Sequence, residues 1–404
     1  MLDILRFRDL RWMLTGSLFA FLGQWVQQAT LGWVVYDITG SGALLGAILA
    51  VRAVPMLLFS PIAGVASDRY GRRGLLLSGS IGSGVIAFAF GAALALDWVG
   101  TWHLFAFVLL SGSALVLDRP ARYTSVFELV PREMAMKAIA FNAAGMSLTR
   151  IAGPAVAGYL LAWVGAPGNF YVQALMYGFS ALCVLAITFP PRSAPARKIS
   201  AWEELLQALK FAATDSTTRS LLMLGVVPFS LLAPIWAAML PIYAKDIFNA
   251  GPEGYGMMLT AGGLGGTLGA WAATYFGKFE RQGLVQVACL LVMCAALIGL
   301  SVSPTIHVAI ALLMFIGGAE MALFAMNQTH LQMAAPEAMR GRISSLLQIY
   351  PALISLGSIV VGSIAELIGA RAGSAVIALT AAVLSLAMLG FSPRLRTMRL
   401  SDYR

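Results

Sequence analysis

Apolar runs of roughly twenty residues recur from one end of the chain to the other, and they restrict its fold more than any other feature. They lie at 12–36, 43–66, 75–96, 103–126, 138–164 and 170–189, and after a polar gap at 221–243, 255–276, 284–302, 306–328, 343–368 and 374–391. A helix rising about 1.5 Å per residue needs roughly 20 residues to cross a hydrocarbon core of about 30 Å. Backbone that meets lipid must satisfy its hydrogen bonds within its own segment, so runs of this length fold as helices. Only 11% of the residues are charged and the mean hydropathy is +0.82, far from the average of water-soluble domains. The sequence predicts an all-α membrane protein of twelve transmembrane helices embedded in a lipid bilayer.

The formal charge of +9 invites a nucleic-acid partner, but its distribution excludes one. With the N-terminus in the cytoplasm, 21 of the 27 Lys and Arg residues fall in cytoplasmic segments. Only Lys245 and Arg371 fall in outer loops, and Arg52, Arg119, Arg122 and Arg150 lie inside spans. This is the positive-inside bias of a bacterial inner-membrane protein, and it puts both termini in the cytoplasm. The run from Trp12 is too long for a cleavable signal segment and is the first span. Cys183, Cys289 and Cys294 all fall within spans, and no Cys/His spacing suggests a metal or other cofactor.

The chain repeats itself at half length. Pro131-Arg-Glu-Met134 matches Pro336-Glu-Ala-Met339, and Gly153, Gly158 and Gly165 match Gly357, Gly362 and Gly369 at a constant offset of 204. At the front of each half, Tyr36-Asp37-Ile38 is similar to Lys245-Asp246-Ile247, and Gly71 aligns with Gly277. The expected organisation is a six-helix half at 1–189, a cytoplasmic linker at 190–218 and a second six-helix half at 219–404. Pro190-Pro191 opens the linker, and Trp202, Leu205, Leu206 and Leu209 give it a short amphipathic helix for the inner membrane surface. Two such halves related by an axis along the membrane normal describe a transporter with its solute site near midplane.

Between spans 2 and 3 lies Gly64-Val-Ala-Ser-Asp68-Arg69-Tyr70-Gly71-Arg72-Arg73. This decapeptide resembles the G-x-L-x-D-R-x-G-R-R/K signature of the major facilitator superfamily, at the position where that family carries it, with Ala66 replacing the Leu. The resemblance implies that Gly64, Asp68, Arg69, Gly71, Arg72 and Arg73 form a cytoplasmic gate, Asp68 docking on the positive N-terminal end of span 11 near 340–344. Basic charges alone would serve orientation, whereas the acid and the glycines are specific to a gate. In the second half Thr274 stands opposite Asp68, so one half carries the latch. Gly153-Pro154-Ala-Val-Ala157-Gly158 partly matches a span 5 pattern of exporters, with Thr149 and Ala157 replacing two of its glycines; Pro154 interrupts the hydrogen-bond ladder and favours a bend. Pro120-Ala121, Asn142 and Arg150-Ile-Ala-Gly-Pro154 resemble the branch that includes siderophore (enterobactin-type) and macrolide exporters. The span 4 Arg of many proton-coupled members is absent, Val108-Leu-Leu-Ser111-Gly112 standing in its place, so that motif carries no proton coupling here.

Ionisable groups inside spans cost about 2.5–3.5 kcal/mol each at a helix centre and are functional candidates by default. Arg52 lies near midplane in span 2. Asp118 and Arg122, four residues apart in span 4, can pair on one face. Arg150 lies in span 5, and Glu320, alone in span 10, must find a partner across the bundle or hold a proton, which makes it the candidate proton carrier. Gln24 and Gln28 share a face of span 1 with Gln27 beside them, a stripe suited either to a hydrated cavity or to bonds between helices. Trp25, Trp33, Phe229, Trp236 and Tyr243 can line a solute path or anchor the span ends.

The resemblance implies a monomeric secondary transporter that exports a small organic solute, such as a siderophore or hydrophobic drug, by alternating access and proton antiport. An importer or facilitator would share these features and differ in energy coupling. A polytopic enzyme finds no support: the only histidines are His103, His307 and His330, and no catalytic set or phosphate loop is present.

Overall fold

The computed structural model describes residues 2–189, 201–336, 339, 343, 346, 347 and 349–399, the side chains at 2, 60–70, 117, 120 and 201–205 excepted. Every regular element among them is a helix. In chain order these are α1 (Arg8–Thr39), α2 (Gly42–Ala50), α3 (Ala53–Ala95), α4 (Thr101–Glu128), α5 (Ala135–Leu185), α6 (Ala201–Thr214) and α7 (Ser216–Val227). An irregular stretch to Ile247 follows, then α8 (Gly251–Phe276), α9 (Gln282–Ser301), α10 (Ile306–Ala334), α11 (Ile349–Ile368), α12 (Ala370–Phe391) and the short α13 (Pro393–Thr397).

Nine stretches among the described residues are long and apolar enough to cross a membrane. One of them, Arg132–Leu185, holds two crossings, because α5 breaks at Gly165 (φ 68°). Helices α1, of 32 residues, and α8, of 26, are long enough to complete the twelve. The apolar side chains that face outward fit this solvent: Phe88, Trp102, Trp163, Leu175, Trp271, Leu367 and Phe391 are all exposed. Trp98, Trp102 and Trp163 cluster where spans 3, 4 and 5 begin or end, the placement of interfacial anchors.

Glycine and proline explain where helices stop. Gly71 (φ 73°) divides α3 between spans 2 and 3, and Gly165 and Gly369 (φ 80°) make the same left-handed turn 204 residues apart, a conformation that only glycine adopts at little cost. Pro55 lacks an N–H for the carbonyl of Val51, and span 2 accordingly breaks at Val51–Arg52 into α2 and α3. Pro228, Pro234 and Pro241 act likewise along span 7, where π-turns at Pro228–Leu232 and Tyr243–Ile247 flank two short helical pieces.

The chain divides into two compact units, Met1–Ile38 with Val54–Lys198, and Thr39–Ala53 with Ile199–Arg404. In the first, the start of α1, α3 just after Gly71, the end of α4 and both ends of α5 share one apolar cluster built on Leu10, Met13, Leu76, Val126, Ala138 and Val184. In the second, Leu221, Phe229, Leu331, Ile343, Leu346 and Met398 form the equivalent cluster, with Ala208 and Ala212 of α6 packed into it. Leu206 and Leu209 of α6 face outward. The outer piece of span 2, α2, packs with the second unit, backbone to backbone on α11. A Cβ on Gly46 would lie 2.1 Å from the Ser358 carbonyl, and one on Gly362 2.1 Å from that of Gly42. Ser41 caps α2, and Glu366 of α11 accepts from the Ser41 hydroxyl at 2.8 Å and the Ala43 amide at 3.1 Å.

Candidate functional site

In the first unit, α4 carries a buried ion pair at its i, i+4 positions. Arg122 donates from Nε to Asp118 Oδ2 at 2.6 Å and from Nη2 to Oδ1 at 3.0 Å. The same Nη2 reaches Ser80 Oγ at 2.8 Å and Ser180 Oγ at 3.0 Å, so the guanidinium ties span 4 to spans 3 and 6. Arg122 is 1% exposed and Asp118 8%. Gly79 makes room for the carboxylate, since a Cβ there would lie 2.7 Å from that of Asp118. Gln24 and Tyr177 join Ser83, Arg119 and this pair around a small cavity. Gln27 is buried beside it and accepts from the Tyr177 hydroxyl at 3.0 Å. Gln28 is half-buried.

The span 5 residues pack α1 against α5. Gly153 faces Trp25, whose Cβ would lie 2.4 Å from a Cβ at 153, and Arg150 stacks over the Trp25 ring at 5.9 Å. Pro154 and Gly158 are buried in the same stretch. Helical dihedrals continue through Pro154, the break of α5 lying at Gly165. Asn142 lines an open cleft with Arg11, Thr15, Phe21 and Phe141.

In the second unit, Glu320 is 7% exposed and accepts a hydrogen bond from Trp236 Nε1 at 2.8 Å. Two features bring these residues together. The proline-broken span 7 turns Trp236 inward over Gly262, where a Cβ would lie 2.4 Å from the indole. The glycines of α8 and α10 let those helices touch along their backbones: a Cβ on Gly265 would be 2.0 Å from the Met314 carbonyl, and one on Gly269 1.9 Å from that of Gly318. Small residues of this kind are what close helix contacts in membranes require.

The structure brings Gln24, Asp118 and Arg122 together and places Arg150 apart from them on Trp25. Arg52 sits half-buried at the break between α2 and α3. Arg72 pairs with Glu128 and reaches the Thr124 carbonyl at 3.5 Å, and Arg73 donates to the Leu185 carbonyl at 3.0 Å. Both thereby hold the ends of α4 and α5. Gly64, Asp68 and Arg69 lie on the helical backbone of α3, with their side chains outside the described set, as are residues 340–342 and 344.

Sequence reasoning missed Ser80 and Ser180, the bond between Trp236 and Glu320, and a buried amide cluster in the second unit. There Asn327 donates to the Leu221 carbonyl at 2.9 Å and to Gln286 Oε1 at 3.3 Å, Tyr350 donates to Asn327 at 3.4 Å, and Gln286 lies 3.4 Å from His330. Of the aromatic candidates, Phe229 stacks on Tyr350 at 4.5 Å and Tyr243 donates to Ser374 at 3.0 Å. Polar residues spread over several helices carry no local signature, although Gln286 lies 206 residues after Ser80 and Asn327 lies 205 after Arg122.

Comparison with known proteins places these clusters in context. The profile of the family described as transmembrane secretion effector matches residues 2–403. The chain is 24% identical over 370 residues to the staphyloferrin A transporter of Staphylococcus aureus, covering 89% of this chain and 90% of that protein. It is 22% identical over 400 residues to the multidrug efflux pump Tap of Mycolicibacterium fortuitum, covering 96% and 97%. A crystal structure of a variant of the nucleoside transporter NupG superposes with a TM-score of 0.78 at 14% identity, over 95% of this chain and 99% of that one.

Proposed function

Because the chain belongs to the transmembrane secretion effector family, a transporter branch of the major facilitator superfamily, we propose that it exports a small organic solute of siderophore or hydrophobic-drug type by alternating access coupled to proton antiport. The relatives' names support the solute class and the direction: one is a siderophore transporter and one an efflux pump. Their near full-length coverage makes the whole chain the unit of function.

The observation that supports proton coupling is Glu320, a carboxyl group buried in α10 and hydrogen-bonded by a neutral indole. A buried carboxyl group inside a membrane helix is a functional candidate by default. The Trp236 N–H donates to Glu320 Oε2, and breaking that bond alters the surroundings of the carboxyl group. Movement along the proline-broken span 7 would therefore change the proton affinity of Glu320, and a conformational cycle could load the group on one side of the membrane and empty it on the other. The six-helix halves would rock about the solute, with the Asp68 latch closing the cytoplasmic side of a protein set in a bacterial inner membrane with both termini inward.

Everted vesicles test this reading. Solute uptake should collapse when the proton gradient is dissipated, and Glu320→Gln should lose the gradient dependence while retaining solute binding. Transport by the wild type that persists without a gradient would remove antiport, and an unchanged gradient dependence in Glu320→Gln would remove Glu320 from it.

A further inference from the structure

Glu320 gives the second unit a task, and the arginines of the first are left over. Arg122 uses Nε and Nη2 on Asp118, Ser80 and Ser180, while its buried Nη1 meets no acceptor among the described residues. The same holds for the buried Nε of Arg119. Buried polar atoms are nearly always partnered, and a charged donor is the most expensive kind to leave without an acceptor. Arg119 and Arg122 both line one cavity of about 10 Å³, with Gln24 and Tyr177 on its wall. Asp118 offsets one of the two positive charges, so the three ionised side chains retain a net charge of about +1 in surroundings where an isolated charge is strongly disfavoured. Phe21 is common to this cavity and to the larger open cleft that runs between α1 and α5 with Arg11 and Phe141 on its walls. The cleft and the cavity that the two guanidinium groups line thus share one aromatic wall.

We propose that this cavity is an anion subsite of the transport path. Closed to about 10 Å³ here, it widens in the transport cycle to take the carboxylate of an amphipathic organic anion, whose apolar body lies along Phe21 and Phe141. Arg122 is the pre-oriented member, fixed by Asp118 and the two serines so that Nη1 is presented without further ordering, a geometry that favours charge-assisted bonds to a planar anion. Arg119 is the second member, half-buried three residues before Arg122. The proposal rests on the transporter reading and adds a substrate class to it: organic anions are held in the first unit, while proton exchange belongs to Glu320 in the second.

Benzoate and its uncharged isostere benzamide separate charge recognition from shape. Full-length protein in nanodiscs, heated in the presence of increasing benzoate, should show a saturable rise in unfolding temperature, as expected for a ligand of the folded state; benzamide should not produce it. Arg122→Lys keeps a cation for Asp118 but deletes the Nη1 donors. Arg119→Gln deletes a charge from a half-buried position and carries the test if the lysine variant fails to fold. Each should raise the half-maximal benzoate concentration at least about tenfold. No saturable benzoate effect on the wild type, an equal response to benzamide, or an unchanged benzoate response in the folded variants would overturn the anion subsite. Gradient-driven export of ethidium by the wild type in proteoliposomes is a separate readout, and its outcome bears on the transporter reading alone.

Discussion

Removing the charge of Asp118 should destabilise the protein by an amount set by the burial of Arg122. The pair is almost free of solvent, at 8% and 1% exposed, and its two hydrogen bonds measure 2.6 and 3.0 Å. Two unit charges about 4 Å apart attract by about 4 kcal/mol at an effective dielectric of about 20. Asp118→Asn keeps the shape but replaces one acceptor by an amide donor facing a guanidinium donor. Ser80 and Ser180 remain, yet neither carries charge. Breaking a buried pair on one side costs about 3–5 kcal/mol, and the lower end applies because the serines and one amide oxygen persist. A loss of about 3 kcal/mol should lower the unfolding temperature of a 404-residue chain by about 4 °C, followed in detergent by tryptophan fluorescence and by size exclusion of the heated sample. Arg122→Met, which strands the carboxylate, should cost as much. The double variant removes both charges at once and should recover at least about 2 kcal/mol of the summed losses, since replacing both members of a buried pair by apolar groups is often neutral. An Asp118→Asn protein that melts within about 1 °C of the wild type, or a double variant whose loss equals the sum of the singles, would refute an energetically coupled pair.

Gly269→Ala should abolish recovery of monodisperse protein, because its Cβ would lie 1.9 Å from the Gly318 carbonyl, whereas Gly82→Ala, with nothing within 4 Å, should match or exceed the wild type by up to about 1 kcal/mol in a helix; size exclusion after extraction compares them. Asp68→Asn should impair transport in vesicles while membrane insertion stays normal, and undiminished transport would count against the latch. Trp236→Phe removes the donor to Glu320 while keeping an aromatic ring over Gly262, and should shift the pH dependence of transport without abolishing solute binding; an unchanged pH profile would detach the indole from proton exchange.

What was legible in the sequence was what a single helix can encode. Span lengths follow from the solvent, the half-length repeat follows from matched glycines, and Asp118 finds Arg122 because four residues make one helical turn. The left-handed turns at Gly71, Gly165 and Gly369 are local in the same sense. What was not legible needs several helices at once. Trp236 lies 84 residues from Glu320, and their contact depends on three prolines that break span 7 and on a glycine seam between α8 and α10. Ser80 and Ser180 look like ordinary small residues of a membrane helix until Arg122 is placed between them. Arg119 resembles its neighbour in composition, and only the cavity shows that both have donors to spare. The break of span 2 had a local signal in Pro55, but hydropathy alone makes 43–66 one continuous run.

The two units put different chemistry into matched positions. Arg122 donates to Ser80 in the first; Asn327 and Gln286, 205 and 206 residues further on, bond to each other in the second. Opposite Asp118 at the same offset stands Leu323, and opposite Glu320 stands Leu115, which lines the arginine cavity. Each unit thus keeps a polar tie between its third and fourth helices, and each has placed its carboxyl group differently around it. In the first the acid lies one turn before the arginine and is consumed in fixing it. In the second the acid lies two turns before the amide and accepts a bond from Trp236 of the seventh span. An acid locked to a guanidinium is a poor proton carrier, because protonating it would strand the cation in a buried site. In the proposed cycle the divergence of the repeat would place a cationic surface for the solute anion in one unit and a carboxyl group for the proton in the other.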